Sequence, residues 1–225
     1  MLSAMTHLLF TLMLLCSISL PLKAQLPFHV EEGGGTLRLG LISGNESRWL
    51  DACRVKRISA TRCSIDDPLL GGGTLRLRVH SLPTTRGFVV EVETDHLPDG
   101  LQLLWAFGAC NPHHVQRDGA ALLPEACRDN VFSDEGHLVS VYYGEVMALR
   151  LVQGVTPPES RMILCDAHRQ ETPLAFYHSG KRTDAPAIAS LLSLPTQGHY
   201  YFCFYRPNRT ADYTYSMLPT LLPDK

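Results

Sequence analysis

The string Gly33-Gly34-Gly35-Thr36-Leu37-Arg38-Leu39 recurs as Gly71-Gly72-Gly73-Thr74-Leu75-Arg76-Leu77, and each copy reads as a glycine hinge feeding an alternating β-strand. Successive side chains of a strand point to opposite faces. Leu37, Leu39 and Leu41 therefore share one face, with Thr36, Arg38 and Gly40 on the other, and Leu75, Leu77 and Val79 repeat the pattern. The copies begin 38 residues apart (71 minus 33), a spacing that suits a β-meander or sandwich unit. Two copies fall short of the roughly three that a solenoid or propeller needs. Glycine triplets also invite a phosphate-loop reading. Here each one precedes a strand rather than a helix, and neither is followed by Gly-Lys-Ser/Thr, so the hinge reading stands.

Outward from these copies, short apolar runs separated by Gly, Pro, Asn and Asp predict strands over residues 36–42, 54–60, 74–80, 87–93, 101–108, 137–143, 146–152, 161–166, 173–177 and 200–205. Such a succession indicates an all-β fold, an antiparallel β-sandwich, rather than a parallel α/β sheet. Residues 101–107 are apolar on both faces apart from Gln102, which predicts a central strand covered on both sides. Helical signal is confined to Asp184-Ala185-Pro186 ahead of the apolar run 187–192, so at most one short helix is expected.

The 225 residues fit one sandwich domain, and no Ser/Gly-rich or Pro-rich linker divides residues 25–225. Hydrophobic residues at 45% and charged residues at 19% exclude wholesale disorder. A net charge of -2 gives no electrostatic reason to invoke nucleic acid or an anionic membrane, and no basic partner-binding face is expected. Residues 8–15 are almost continuously apolar and are followed by Pro21 and Leu22-Lys23-Ala24-Gln25, the pattern of a secretory signal peptide over residues 1–24. That run is shorter than the roughly 20 residues a bilayer requires. The expectation is an exported protein, periplasmic or secreted, with no membrane span after signal cleavage.

Beyond Cys16 the chain carries Cys53, Cys63, Cys110, Cys127, Cys165 and Cys203. In an oxidising compartment these permit up to three disulfides, in any of 15 full pairings. Cys165 and Cys203 sit in apolar strands, where a buried free thiol is equally in keeping, whereas Cys110 and Cys127 bracket a polar loop and form the expected pair. No Cys/His spacing suits zinc, and the adjacent His113 and His114 would diverge on a strand, so neither a metal nor a cofactor is expected. No Gly-x-Ser-x-Gly elbow is present. Carboxylate pairs such as Asp118 with Glu125 or Asp129, or Asp166 with Glu171, read equally as turn residues, and no catalytic residue is assigned. The most site-like stretch is 105–119. It leaves a buried strand at Trp105 and enters a loop with His113, His114, Arg117 and Asp118, able to hydrogen-bond a sugar or a neighbouring domain. The pairs Tyr142-Tyr143 and Tyr200-Tyr201 offer aromatic faces for a pyranose ring, although alternation buries one of each. Tyr143 joins Trp105 and the loop residues as a candidate contact.

Several strings then stand out together: Gly40-Leu41-Ile42-Ser43-Gly44 with Trp49-Leu50, Asp67-Pro68-Leu69-Leu70-Gly71, Leu104-Trp105-Ala106-Phe107-Gly108 leading to Arg117-Asp118-Gly119, and Cys127-Arg128-Asp129-Asn130. Their order resembles a bacterial family of uncharacterised N-terminal regions that precede an (α/α) six-hairpin catalytic toroid in exported glycoside hydrolases. The resemblance covers most of residues 33–222. It implies a β-supersandwich, with the acids that act on the glycosidic bond held by the toroid, and so a fragment lacking a C-terminal helical toroid. The function it implies is that of an accessory domain in polysaccharide breakdown, its partners the toroid and a polysaccharide, and not catalytic alone. The alternatives are a stand-alone carbohydrate-binding module or a non-catalytic secreted structural domain.

Overall fold

The computed structural model describes residues 26–113, 121–180 and 182–222. The expected signal peptide lies outside them. Fourteen strands among the described residues form two antiparallel sheets. The six-stranded sheet runs β1 (Phe28–His29), β2 (Gly34–Ser43), β8 (Gln102–Cys110), β13 (Pro186–Ser193), β12 (Ile163–Asp166), with β3 (Glu46–Trp49) also paired to β2. The eight-stranded sheet runs β4 (Arg54–Arg57), β5 (Arg62–Asp66), β6 (Thr74–Ser81), β7 (Gly87–Asp95), β14 (Gly198–Tyr205), β11 (Arg150–Val155), β10 (Leu138–Tyr143), β9 (Val131–Glu135). The fold is the expected all-β sandwich.

The two copies of the opening heptapeptide start β2 and β6, one in each sheet, and their leucines meet in the main core. Gly35 has φ +102, and a Cβ there would stand 2.6 Å from both Cys110 Sγ and Phe107 Cζ. Gly71 closes a 3-10 turn over Pro68–Leu70 in the left-handed region, with φ +58, while the Asp67 side chain accepts the Leu69 N–H at its start. Both triplets thus act as hinges, for reasons of backbone sign and close approach.

Three apolar clusters stack outward. The main core lies between the sheets, where Phe88, Trp105, Phe107, Phe202 and Phe204 interlock. A second cluster covers the far side of the six-stranded sheet, where Leu104, Ala106, Ala187 and Ala189 pack under α1 (Pro124–Cys127) and α2 (Pro173–Tyr177). The 101–107 segment is accordingly buried on both faces, as its composition predicts. A third cluster forms where Ala211, Tyr213, Leu218 and Leu222 cover Val89, Val155, Cys203 and Tyr205 on the far side of the eight-stranded sheet.

Several elements correct the sequence expectation. The short helix or turn expected to start at Asp184-Ala185-Pro186 and run through 187–192 is instead strand β13, which lies between β8 and β12. A strand buried on both faces lacks polar alternation, so its Ala-rich run with an Asp and a proline ahead of it imitates a helix start. Residues 173–177, expected to be a strand, form α2. Thr172 caps it by accepting the Ala175 N–H at 3.1 Å, and Pro173 occupies the first turn. The expected strand over 146–152 begins only at Arg150, and β1, β3, β5, β9 and α1 lie outside the expected elements.

Candidate functional site

The expected contact residues divide sharply. Trp105 and Tyr143 are fully buried in the main core, and the Trp105 indole N–H donates to Ser160 Oγ at 3.2 Å, so neither can meet a sugar or a neighbouring domain. His114, Arg117 and Asp118 lie outside the described residues. His113 is exposed at the end of β8, where its backbone N–H donates to Asn111 Oδ1 at 2.8 Å.

The Cys110–Cys127 bridge is not made: both are free, buried thiols. Cys110 belongs to the inter-sheet core and donates to the Gly34 carbonyl, while Cys127 belongs to the cluster under α1 and accepts the Ala109 N–H at 3.2 Å. Burial pushes the Cys127 thiol up to about 12 and raises that of Cys110 as well, so both stay protonated at neutral pH. Asn130 ties these parts together: its side chain accepts the Cys110 N–H at 2.9 Å and donates to the carbonyls of Cys110 and Ala126.

At this end of the sandwich a concavity of about 490 Å3 opens between Asn111, Pro112, His113, Asp129, Glu145 and Val146. The turn between β10 and β11 rims it and presents Val146, Met147 and Leu149 to solvent, 88%, 97% and 60% exposed. Three aliphatic side chains on one turn are the most exposed apolar feature among the described residues.

A second candidate surface, unforeseen in the sequence, is the part of the outer face of the eight-stranded sheet that residues 211–222 leave uncovered. Strand register lays out two parallel rows across four strands. Arg62, Arg78, Glu91 and Tyr201 stand side by side, as do Ser64, Arg76, Glu93 and His199. Glu91 is the hub. Its Oε2 accepts from Arg78 Nε at 2.8 Å, and its Oε1 accepts the Tyr201 hydroxyl and lies 3.1 Å from His199 Nδ1. The His199 and Tyr201 rings lie nearly parallel, 6.3 Å apart. Glu93 takes Arg76 at 3.2 Å. Each of these two carboxylates is held by an arginine, so the face presents paired donors and acceptors. The net charge of -2 hid it: cations concentrate on β4 to β6, contrary to the expectation of no basic face. The visible signal was Arg76/Arg78 and Glu91/Glu93 at every second position of two strands.

Tyr201 is pushed up to about 12, first by burial and then by the neighbouring Glu91 carboxylate. Because its folded value lies above the unfolded one, near 10, Tyr201 favours folding below about pH 10, and that contribution is lost as the pH rises from about 10 to about 12. Burial pushes Tyr215 up to about 12 as well, so phenolate absorbance should show a late phase whose amplitude falls by one tyrosine, without vanishing, in Tyr201→Phe. Glu91→Gln should bring Tyr201 partway down, since burial is the larger cause; an unchanged titration in Glu91→Gln would refute the coupling.

No group of three or more His, Cys, Asp or Glu among the described residues could hold a metal ion, and no helix there is long and apolar enough to cross a membrane. No curated protein matches the chain. A family model does: that of a domain of unknown function, DUF4450, matches residues 31–225, which takes in every strand after β1, and the chain belongs to that family.

Proposed function

We propose that this protein is an accessory β-sandwich domain of an exported glycoside hydrolase, which contacts a separate catalytic (α/α) toroid during polysaccharide breakdown. The observation that carries this reading is the exposed Val146-Met147-Leu149 turn beside the concavity at Asn111 to His113. Aliphatic side chains so exposed seek an apolar protein surface, whereas a sugar is held by aromatic rings and hydrogen bonds. The resemblance of residues 33–222 to regions that precede such toroids supplies the partner. The residues behind that resemblance have structural work here, since Trp49 packs on Phe176 and Asp67 caps a turn, so the motifs mark the frame that presents this end.

The coding sequence around this chain should contain such a toroid. Expressed together, the two should co-elute, and Val146→Asp with Met147→Asp should weaken association at least tenfold with an unchanged melting temperature. The proposal is overturned if no toroid is encoded nearby, if it elutes alone, or if the variant associates like the parent. A second reading, a stand-alone carbohydrate-binding module, is favoured by one observation: the uncovered polar face centred on Glu91.

A further inference from the structure

We propose that the outer face of β4 to β7 binds an acidic polysaccharide, a sugar chain bearing carboxylate or sulfate groups, laid along β5 and β6. Two depressions adjoin there. One of about 230 Å3 lies among Ile58, Arg62, Arg76, Arg78, Glu91 and Glu93, and one of about 480 Å3 lies among Arg54, Lys56, Ser64, Asp66 and Thr74. They follow each other along β5 from Arg62 to Asp66, a run of roughly 13 Å at about 3.3 Å per residue. That shape suits an extended ligand rather than a compact one.

Charge decides the ligand's sign. Arg54, Lys56, Arg62, Arg76 and Arg78 border the depressions, against Asp66, Glu91 and Glu93. Three ion pairs, Arg54 with Asp66, Arg76 with Glu93 and Arg78 with Glu91, use all three carboxylates. Lys56 and Arg62 have no carboxylate partner among the described residues. Arg62 stands directly opposite Arg78 in the β5–β6 ladder, but Glu91 holds Arg78, so Arg62 and Lys56 are the cations that an incoming anion would pair with. A guanidinium fork pairs two-pronged with a carboxylate or with a tetrahedral oxyanion such as phosphate or sulfate.

The remaining lining decides the ligand's class. Ser64, Thr74 and the partly exposed Glu93 offer acceptors and donors between the cations, which sugar hydroxyls, able both to give and to accept, can use. Ile58, 55% exposed, gives one apolar lip against which a sugar's C–H face can lie. None of the described residues lining the two depressions is aromatic, so the bases of a single-stranded nucleic acid find no ring to stack on there.

This inference deepens the glycan-breakdown reading by naming a substrate class, but it stands on this face alone, and its test needs no toroid. The purified protein would be run in affinity electrophoresis against polygalacturonate, chondroitin sulfate, dextran, poly-glutamate and single-stranded DNA, at 50 and 200 mM salt. Retention by at least one acidic glycan is expected, weaker at the higher salt, and reduced at least tenfold in Lys56→Glu with Arg62→Glu. Val146→Asp with Met147→Asp should leave it unchanged, so that failure here and failure of toroid docking are separable. Polygalacturonate against chondroitin sulfate tells carboxylate from sulfate. The proposal is overturned by no retention on either acidic glycan, by equal retention on dextran, poly-glutamate or DNA, or by equal binding of the Lys56/Arg62 variant with its melting temperature preserved. If that variant fails to fold, Arg62→Gln, which removes a charge without introducing one, must weaken retention for the proposal to stand.

Discussion

Phe204→Ala is expected to lower the unfolding free energy by about 3–5 kcal/mol, and the melting temperature by on the order of 10 °C. Phe204 is the ring at which the two sheets are joined. It stacks on Phe107 of β8 with centroids 3.9 Å apart and planes within 6°, and it touches Phe88 and Trp105 at 6.3 Å each. Its far edge fills the place of a missing side chain, since a Cβ on Gly154 would stand 2.5 Å from its Cε1. Removing the ring opens a cavity bounded by β7, β8, β11 and β14, whose hydrogen-bonded ladders resist collapse. Phe204→Leu should cost much less, because it restores most of the volume. Urea titration of the two variants checks this, and a loss below about 1 kcal/mol for Phe204→Ala would show that the sheets are joined elsewhere.

Arg38→Met is expected to cost about 3–5 kcal/mol, while Arg76→Met, the same change at the same place in the repeated heptapeptide, should cost less than about 1 kcal/mol. Arg38 is 9% exposed and makes a two-pronged pair with Asp51, Nε to Oδ2 at 2.9 Å and Nη2 to Oδ1 at 3.2 Å. Its Nη1 donates to Gln170 Oε1, and its guanidinium lies 4.1 Å from the centroid of the Trp49 ring. Trp49 Nε1 in turn donates to the Gln170 carbonyl. Without Arg38, the Asp51 carboxylate is left sheltered and unpaired. Arg76 and Glu93 are open to water, their side chains 42% and 30% exposed, so solvent replaces most of what the pair contributes. Equal losses in the two variants would refute the assignment. A double change of Arg38 and Asp51 to Met should cost less than the two single changes added together.

The contrast between Arg38 and Arg76 also shows how far the sequence is legible. Strand identity at both copies follows from alternation alone, and the leucines of each copy do reach the inter-sheet core. The fate of the opposite face does not follow, because it depends on what is laid over the sheet. α1, α2 and the chain around Gln170 cover the six-stranded sheet, turning Thr36 and Arg38 into buried polar groups; among the described residues no such layer lies over Thr74 and Arg76 of β6, which stay partly exposed. That a core strand reaches the surface near Asn111 was legible, yet Trp105 is pure core, because β8 is sandwiched between two layers. The Glu91 face was invisible for another reason. Its members come from residues 54–66, 74–78, 91–93 and 199–201, and only strand pairing puts them in rows.

Composition, turn residues and period-two patterning were enough to specify an all-β sandwich with a doubly covered central strand, since these depend on local backbone preference and on the apolar surface each segment must bury. Which strand neighbours which, that residues 186–193 are strand, that Cys110 and Cys127 face different clusters, and which arginine is buried were settled by long-range packing. In each case the deciding contact comes from residues distant in the chain, and its energy exceeds the few tenths of a kcal/mol by which local propensities differ.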